Sequence, residues 1–327
     1  MIDTKKIRQP VELEVIKTSR EDKPDNLFIC WGSPEERCKG SILRLHSSYK
    51  ADHVYLFRYS DHESKKRERN IREMRNRLKD VGETEEILID ENKPIPVIRE
   101  IVEEAEKLIR RTASPKITID ISTPIKWHLL IFLKFLDLRN LLSHVRFLYT
   151  EPEDYVTDLF QSLSFGIREI FPIPTFYGSY DFAKRDLLVL ILGYEGNRAM
   201  ALYEDVDPAE CLLLIADPPY HKEWKGRTEE MNKEIINIAG ASTIRYIHSR
   251  NPLEVSLQLQ EILVNDDYAD YNHIISPLGT KPQTLGLYSY LSASPLNTIL
   301  IYGAPLRHNE IFYSSGIGRT WELPFQS

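Results

Sequence analysis

Short apolar runs alternate with amphipathic stretches along this chain, and the alternation starts twice. Phe28-Ile29-Cys30-Trp31 has the character of a buried strand and ends at Gly32. Glu35–Leu45 reads as a helix. His53–Tyr59 reads as a second strand, closed by Ser60-Asp61-His62. Ser64–Lys79 is charged and helical in propensity, and Glu86–Ile89 is a third strand. Pro96–Arg111 places Ile98, Ile101, Val102, Ala105, Leu108 and Ile109 on one helical face, with Glu and Lys opposite. Lys116–Ile121, Ile125–Leu138 and Val145–Tyr149 add a strand, a helix and a strand.

The second set begins with Leu187–Leu192, a strand ending at Gly193. Arg198–Glu204 reads as a helix, Cys211–Ala216 as a strand ending at Asp217, and Thr228–Ala239 as one helix. Ile244–His248 and His273–Ile275 are strands around a helix at Pro252–Val264. A helix from Pro282 to Leu291 leads to a last strand, Thr298–Tyr302. Strands and helices alternating at these lengths predict an α/β protein with two tandem Rossmann-like units and mainly parallel sheets.

Positions recur between the sets in the same order. Gly32 and Arg37 correspond to Gly193 and Arg198, 161 residues later. Asp61 corresponds to Asp217, and Lys126 to Lys281. Tyr149-Thr150-Glu151-Pro152 corresponds to Tyr302-Gly303-Ala304-Pro305, now 153 residues later. A slowly shrinking offset is what a tandem duplication with a few loop deletions produces. Two unrelated halves sharing generic strand–turn chemistry is the plainer reading. The expected division is a leader (residues 1–25) with a possible strand at Val11–Ile16, a first unit (26–160), a connector (161–183), a second unit (184–306) and a tail (307–327). Gly166, Pro172, Pro174 and Gly178, with aromatics between them, make the connector read as packed rather than floppy.

Composition narrows the function classes. The net charge of −7 provides no global basic field for nucleic acid, although a local patch or a small phosphorylated ligand stays open. Cys30, Cys38 and Cys211 form no CxxC pair and read as reduced, buried thiols. The polar start, Met1–Gln9, lacks the apolar core of a signal peptide. The most apolar stretch, Trp127–Leu138, is interrupted by His128 and Lys134 and reads as a buried helix rather than a membrane span. A cytoplasmic chain with no membrane partner is expected.

In open parallel sheets, ligands lie beyond the carboxyl ends of the strands, where helix N-termini favour anions. That rule selects Ser276-Pro277-Leu278-Gly279-Thr280-Lys281-Pro282-Gln283 first. Gly279 allows close backbone approach, Thr280 offers a hydroxyl, and Lys281 supplies a charge at the helix start. The loop is not a P-loop, because the glycine spacing upstream of the lysine is missing. An ordinary helix cap with an exposed lysine is its bland alternative.

Gly193-Tyr194-Glu195-Gly196-Asn197-Arg198 is the second candidate, with Gly32–Arg37 as its counterpart. An arginine in a first helical turn opposes the dipole, so it needs a partner: a bound anion or a carboxylate from the other domain. The third candidate, Asp217-Pro218-Pro219-Tyr220, matches the D-P-P-Y motif of amino-directed DNA methyltransferases, in which the aromatic stacks on a flipped base. It follows the second strand of its half, and no F-x-G-x-G loop accompanies it. His62, His221 and His248 lie near strand ends without metal-ligand spacing, so no metal site is expected. No G-x-S-x-G elbow is present, and no cofactor is called for. The run Lys65–Lys79 holds eight Lys or Arg against two acids. It is a solvated helix face or a contact for phosphates or a partner.

Gly279-Thr280-Lys281, between a strand and a helix containing Gly286-Leu287-Tyr288, resembles the G-T-K motif of CARF domains, the CRISPR-associated Rossmann-fold sensors. Two such units in one chain look like the SAVED architecture. The resemblance covers Asp25–Pro152 and Lys184–Pro305. It implies sensing of a cyclic oligonucleotide second messenger in prokaryotic antiviral defence. Thr280 and Lys281 would then contact ligand phosphates, and Gly193–Arg198 would line the same pocket. The first half has Thr123-Pro124-Ile125-Lys126 instead, which implies one degenerate or asymmetric site. No nuclease-like motif is evident, so such a sensor would act through a partner chain or an oligomer. The competing class is an enzyme on a nucleotide or nucleic acid, with Glu195 and Asp217 as acid–base groups and methyl transfer as the named variant. A scaffold docking through the basic helix is a third.

Overall fold

The computed structural model describes residues 7–13, 24–60, 64–110, 112, 115–155, 163–221, 224–264, 268–294, 297–308 and 314–325. Asp61 and His62 lie outside the described residues. The chain separates into two compact units. One comprises Pro10–Thr157 and Tyr313–Pro324, here the N-terminal unit; the C-terminal unit is built on Asp158–Phe312.

In chain order, the N-terminal unit contains β1 (Val11–Glu12), β2 (Asp25–Trp31), α1 (Gly40–Arg44), β3 (Ala51–Tyr59), α2 (Lys65–Leu78), β4 (Glu83–Ile89), α3 (Ile95–Ile109), β5 (Ile117–Asp120), α4 (Lys126–Leu138) and β6 (Val145–Thr150). The C-terminal unit contains β7 (Ser164–Pro172), β8 (Asp186–Ile191), α5 (Gly196–Val206), β9 (Glu210–Ala216), α6 (Trp224–Met231), α7 (Lys233–Ala239), β10 (Ile244–Ile247), α8 (Pro252–Val264), β11 (Asn272–Pro277), α9 (Lys281–Ala293) and β12 (Thr298–His308). The last strand, β13 (Thr320–Leu323), returns to the N-terminal unit.

The two sheets share one strand logic. The N-terminal order is β1-β13-β6-β5-β2-β3-β4 and the C-terminal order is β10-β9-β8-β11-β12-β7. In each, the first strand of the repeat sits centrally, the next two extend one way, and the fourth crosses to its other side. All neighbours within these five-strand sets are parallel. This is the doubly wound order, and the chain is an α/β protein of two tandem Rossmann-like units. In each sheet an antiparallel strand covers the outer side of the fifth: β13 on β6, and β7 on β12.

Burial explains the apolar runs. Leu187, Leu188, Val189, Leu190 and Ile191 are all fully buried, so β8 is covered on both faces. Leu188, Leu190 and Leu192 pack with Ala199, Leu202 and Ile235 from α5 and α7. In β2, Phe28 and Cys30 face Cys38, Ile71, Met74 and Leu78, whereas Trp31 meets Phe132 of α4 edge-on. The three thiols are buried and free.

Several local expectations change. The stretch read as a connector carries β7, a nine-residue strand antiparallel to β12. The tail contributes β13, an internal strand between β6 and β1. Glu35–Leu45 forms a 3-10 turn at Glu36–Lys39 and then only the short α1. The helix expected over Thr228–Ala239 breaks at Asn232. Its side-chain Nδ2 donates to Thr228 O at 2.8 Å and to Gly193 O at 2.7 Å, so the chain turns there to meet the β8 loop.

Candidate functional site

The strand order of the C-terminal unit reverses between β8 and β11, which is where an open α/β sheet opens a crevice for ligand. The loops leaving these strands carry the two glycines of the candidate motifs. A Cβ on Gly193 would lie 2.6 Å from the Leu278 carbonyl oxygen and 3.8 Å from Gly279 Cα. The two loops therefore touch backbone to backbone, and only a hydrogen fits at Gly193. Gly196, which opens α5, is equally constrained against the Met231 carbonyl.

Thr280 is the N-cap of α9. Its hydroxyl accepts from Gln283 N–H at 3.2 Å, and Gln283 Oε1 accepts from Thr280 N–H at 2.8 Å. Thr-x-x-Gln thus closes a reciprocal capping box, with Pro282 in the first turn where its missing N–H costs nothing. The Thr280 hydroxyl also donates to Ser249 O at 2.8 Å, fastening the β11 loop to the β10 loop. Tyr220 donates to the same carbonyl at 3.3 Å, which brings in the β9 loop. Ser249 O therefore ties together the loops of three strands.

Lys281 is 8% exposed, so the bland alternative of a cap with an exposed lysine does not describe this loop. Gln283 is fully buried; its Oε1 is used by the cap, while its Nε2 has no hydrogen-bond partner. The hydroxyls of Ser249 and Ser276, also buried, are equally unmatched. An unmatched buried polar group costs about 1–3 kcal/mol, so Gln283 Nε2 in the first turn of α9 is a feature to be explained. Donors at a helix N-terminus, beside a buried lysine, suit an anion.

Arg198 has a carboxylate partner three residues away, at Glu195. Its Nη1 lies 2.6 Å from Glu195 Oε2, its Nε donates to Gly303 O at 3.0 Å, and it stacks on Tyr302 at 5.0 Å. Ser164 donates to the other Glu195 oxygen at 2.5 Å. Both members of the pair are buried. The N-terminal unit repeats the device: Arg37 pairs with Glu35 at 2.8 Å and donates to Thr150 O at 3.3 Å, and Ser314 donates to Glu35 at 2.6 Å. The recurring arginine clamps the first loop to the fifth strand.

Gly193, Gly279, Thr280 and Gln283 thus come together, with Lys281 at the same helix start. Glu195 and Arg198 form a clamp beside them, and Asn197 is exposed on the first turn of α5. Asp217 is held at its strand end by an N–H to Ile247 O at 2.8 Å. Tyr220 is buried against Trp224 and lies under Arg250 at 5.1 Å. Sequence reasoning missed Ser249 and Asn232. The only trace of Asn232 is a weak helix former inside an expected helix; Ser249 joins the loops through its main-chain carbonyl, a contact that residue type does not signal.

The corresponding loop of the N-terminal unit differs. Thr123 donates to Trp31 O at 3.1 Å, but Asp120 ends β5 with a buried carboxylate that accepts from Ser41 and Ser122. Burial raises its pKa, and the hydrogen bonds from Ser122 and Ser41 pull the other way. The local donors already serve a carboxylate of the chain itself.

No protein-family model matches the chain, and no curated protein matches it. Among solved structures, it is similar to a DNA nuclease of Type III CRISPR defence activated by cyclic oligoadenylate. The TM-score is 0.50 at 9% identity, over 81% of this chain and 63% of that one. This chain therefore spans less than two thirds of that structure's length, and at this identity the likeness is one of fold. A second structure, an N-terminal ketoreductase from a macrolactin assembly line, aligns at a TM-score of 0.23 and 11% identity, too weak to support any argument. Among the described residues, no helix is long and apolar enough to cross a membrane.

Proposed function

We propose that the C-terminal unit binds a cyclic oligonucleotide second messenger, and that the chain is a CARF/SAVED-like sensor of prokaryotic antiviral defence. The observation that supports this most is the start of α9: a Gly-Thr-Lys loop at the topological switch point, with Lys281 buried and Gln283 Nε2 unmatched. Phosphate oxygens would supply the acceptor that Gln283 Nε2 lacks. The fold shared with a nuclease that is activated by cyclic oligoadenylate is consistent with that ligand class. Output would pass to a partner chain or through an oligomer.

Thermal unfolding in the presence of cyclic oligoadenylates tests the reading. A ligand at about 100 times its Kd adds roughly 2.7 kcal/mol to the folded state. The wild type is expected to gain several degrees with at least one ring size, and Lys281→Ala, folded by circular dichroism, to gain none. No stabilisation across a panel of cyclic and linear oligonucleotides would overturn it.

A further inference from the structure

The helix α2 carries a second, separate cationic feature. Its inward face is Arg67, Asn70, Ile71, Met74 and Leu78, all buried. Lys65, Arg69, Arg72, Asn76 and Lys79 are all exposed and follow one another at steps of four, three, four and three residues. At 3.6 residues per turn that spacing places them in one line on the outward face. The line rises about 21 Å, with a cation on most turns.

The two acids of the helix itself pair with cations outside the stripe. Glu68, on the helix, accepts from Arg58 at 2.9 Å, and Glu73 accepts from Lys39 at 2.6 Å. Glu86 of β4 holds Arg75, and Glu36 lies 3.3 Å from Arg69. Lys65, Arg72, Arg77 and Lys79 have no carboxylate partner among the described residues. A chain of net charge −7 thus concentrates eight of its 42 basic residues in 15 positions and neutralises the interspersed acids with cations from outside the stripe.

We propose that this face of α2 binds the phosphate backbone of duplex nucleic acid without reading its sequence. Protein interfaces take their energy from buried apolar and aromatic anchors, and the stripe offers none. Single-strand binders add aromatic side chains on which bases stack, and these too are missing from the stripe. A straight row of cations instead matches a stiff polyanion that carries about one charge per 1.7 Å of its axis. The inference does not depend on the sensor reading, because it concerns a different unit and a different surface.

The experiment is fluorescence anisotropy of the full chain with 20-base-pair DNA and RNA duplexes, titrated in salt. Duplex binding is expected to weaken with salt at a slope of about −3 to −4 on log–log axes, as four neutralised phosphates require. The triple variant Lys65→Glu, Arg72→Glu, Lys79→Glu alters exposed positions only and is expected to lose at least tenfold in affinity. Charge reversal at Arg99, exposed on α3, serves as the control and is expected to change it less than twofold. Either duplex binding in this way supports the proposal. Equal affinity of the triple variant and the wild type overturns it. So does preference for a single strand, or binding of polyglutamate in place of either duplex, which would make the partner an acidic protein.

Discussion

The Thr280 hydroxyl donates to the carbonyl of Ser249 over 2.8 Å while it caps the helix that begins one residue later. One oxygen therefore terminates α9 and fixes the β10 loop beside it. Thr280→Val keeps the shape and removes both bonds, and a lost N-cap costs about 1–2 kcal/mol. Urea unfolding is expected to show that loss, with Thr280→Ser recovering all but about 0.5 kcal/mol. Equal stability of the valine variant would show that the hydroxyl does not hold the loops.

The backbone contact at the switch point predicts opposite outcomes at two glycines. Gly193→Ala places a methyl group 2.6 Å from Leu278 O and is expected to destabilise the fold by about 1–3 kcal/mol. Gly226→Ala, within α6, meets nothing within 4 Å and is expected to stabilise by about 0.5–1 kcal/mol. Denaturant midpoints of the two single variants check both signs.

Removing one member of the buried clamp is expected to be severe. Glu195→Ala leaves the Arg198 guanidinium buried without its carboxylate, a loss of about 3–5 kcal/mol. The clamp reading fails if calorimetric unfolding of this variant matches the wild type.

His128 sets a pH dependence. It is buried in α4, with Nε2 donating to Glu91 O at 2.9 Å. Burial lowers its pKa from 6.5 to about 3, and the Glu91 carbonyl opposes that only in part. The unfolded chain takes up this proton near pH 6.5 and the folded chain only near pH 3. The contribution is therefore complete above pH 6.5 and is lost progressively as the pH falls toward 3. Stability measured from pH 7 to 4 is expected to fall less steeply in His128→Gln than in the wild type. Parallel curves would contradict the assignment.

What the sequence shows and what it hides follow from the range of the interactions. Leu187–Leu192 reads correctly as a strand because burial on both faces makes it continuously apolar. Ser164–Pro172 does not: as an edge strand beside β12 it is largely exposed, and Gly166 and Pro172 look like turn residues. The Gly-Thr-Lys loop is legible because capping chemistry is local, as Thr280 and Gln283 are three residues apart. The Arg198 side chain signals that it needs a partner, but its contact with Gly303 spans 105 residues and is set by the sheet order. Ser249 and Asn232 enter the site through the same long-range packing.

Gln283→Glu bears most directly on the central claim. Glutamate retains the oxygen that caps Thr280 N–H, since a capping box accepts either residue, but replaces the unmatched Nε2 donor with a second acceptor. Titration calorimetry of wild type and variant with a cyclic oligoadenylate is the measurement. Binding by the wild type and at least a tenfold loss in a folded Gln283→Glu is the predicted result. Unchanged affinity in the variant, or no heat of binding with the wild type at any ring size, would contradict a phosphate site at the start of α9.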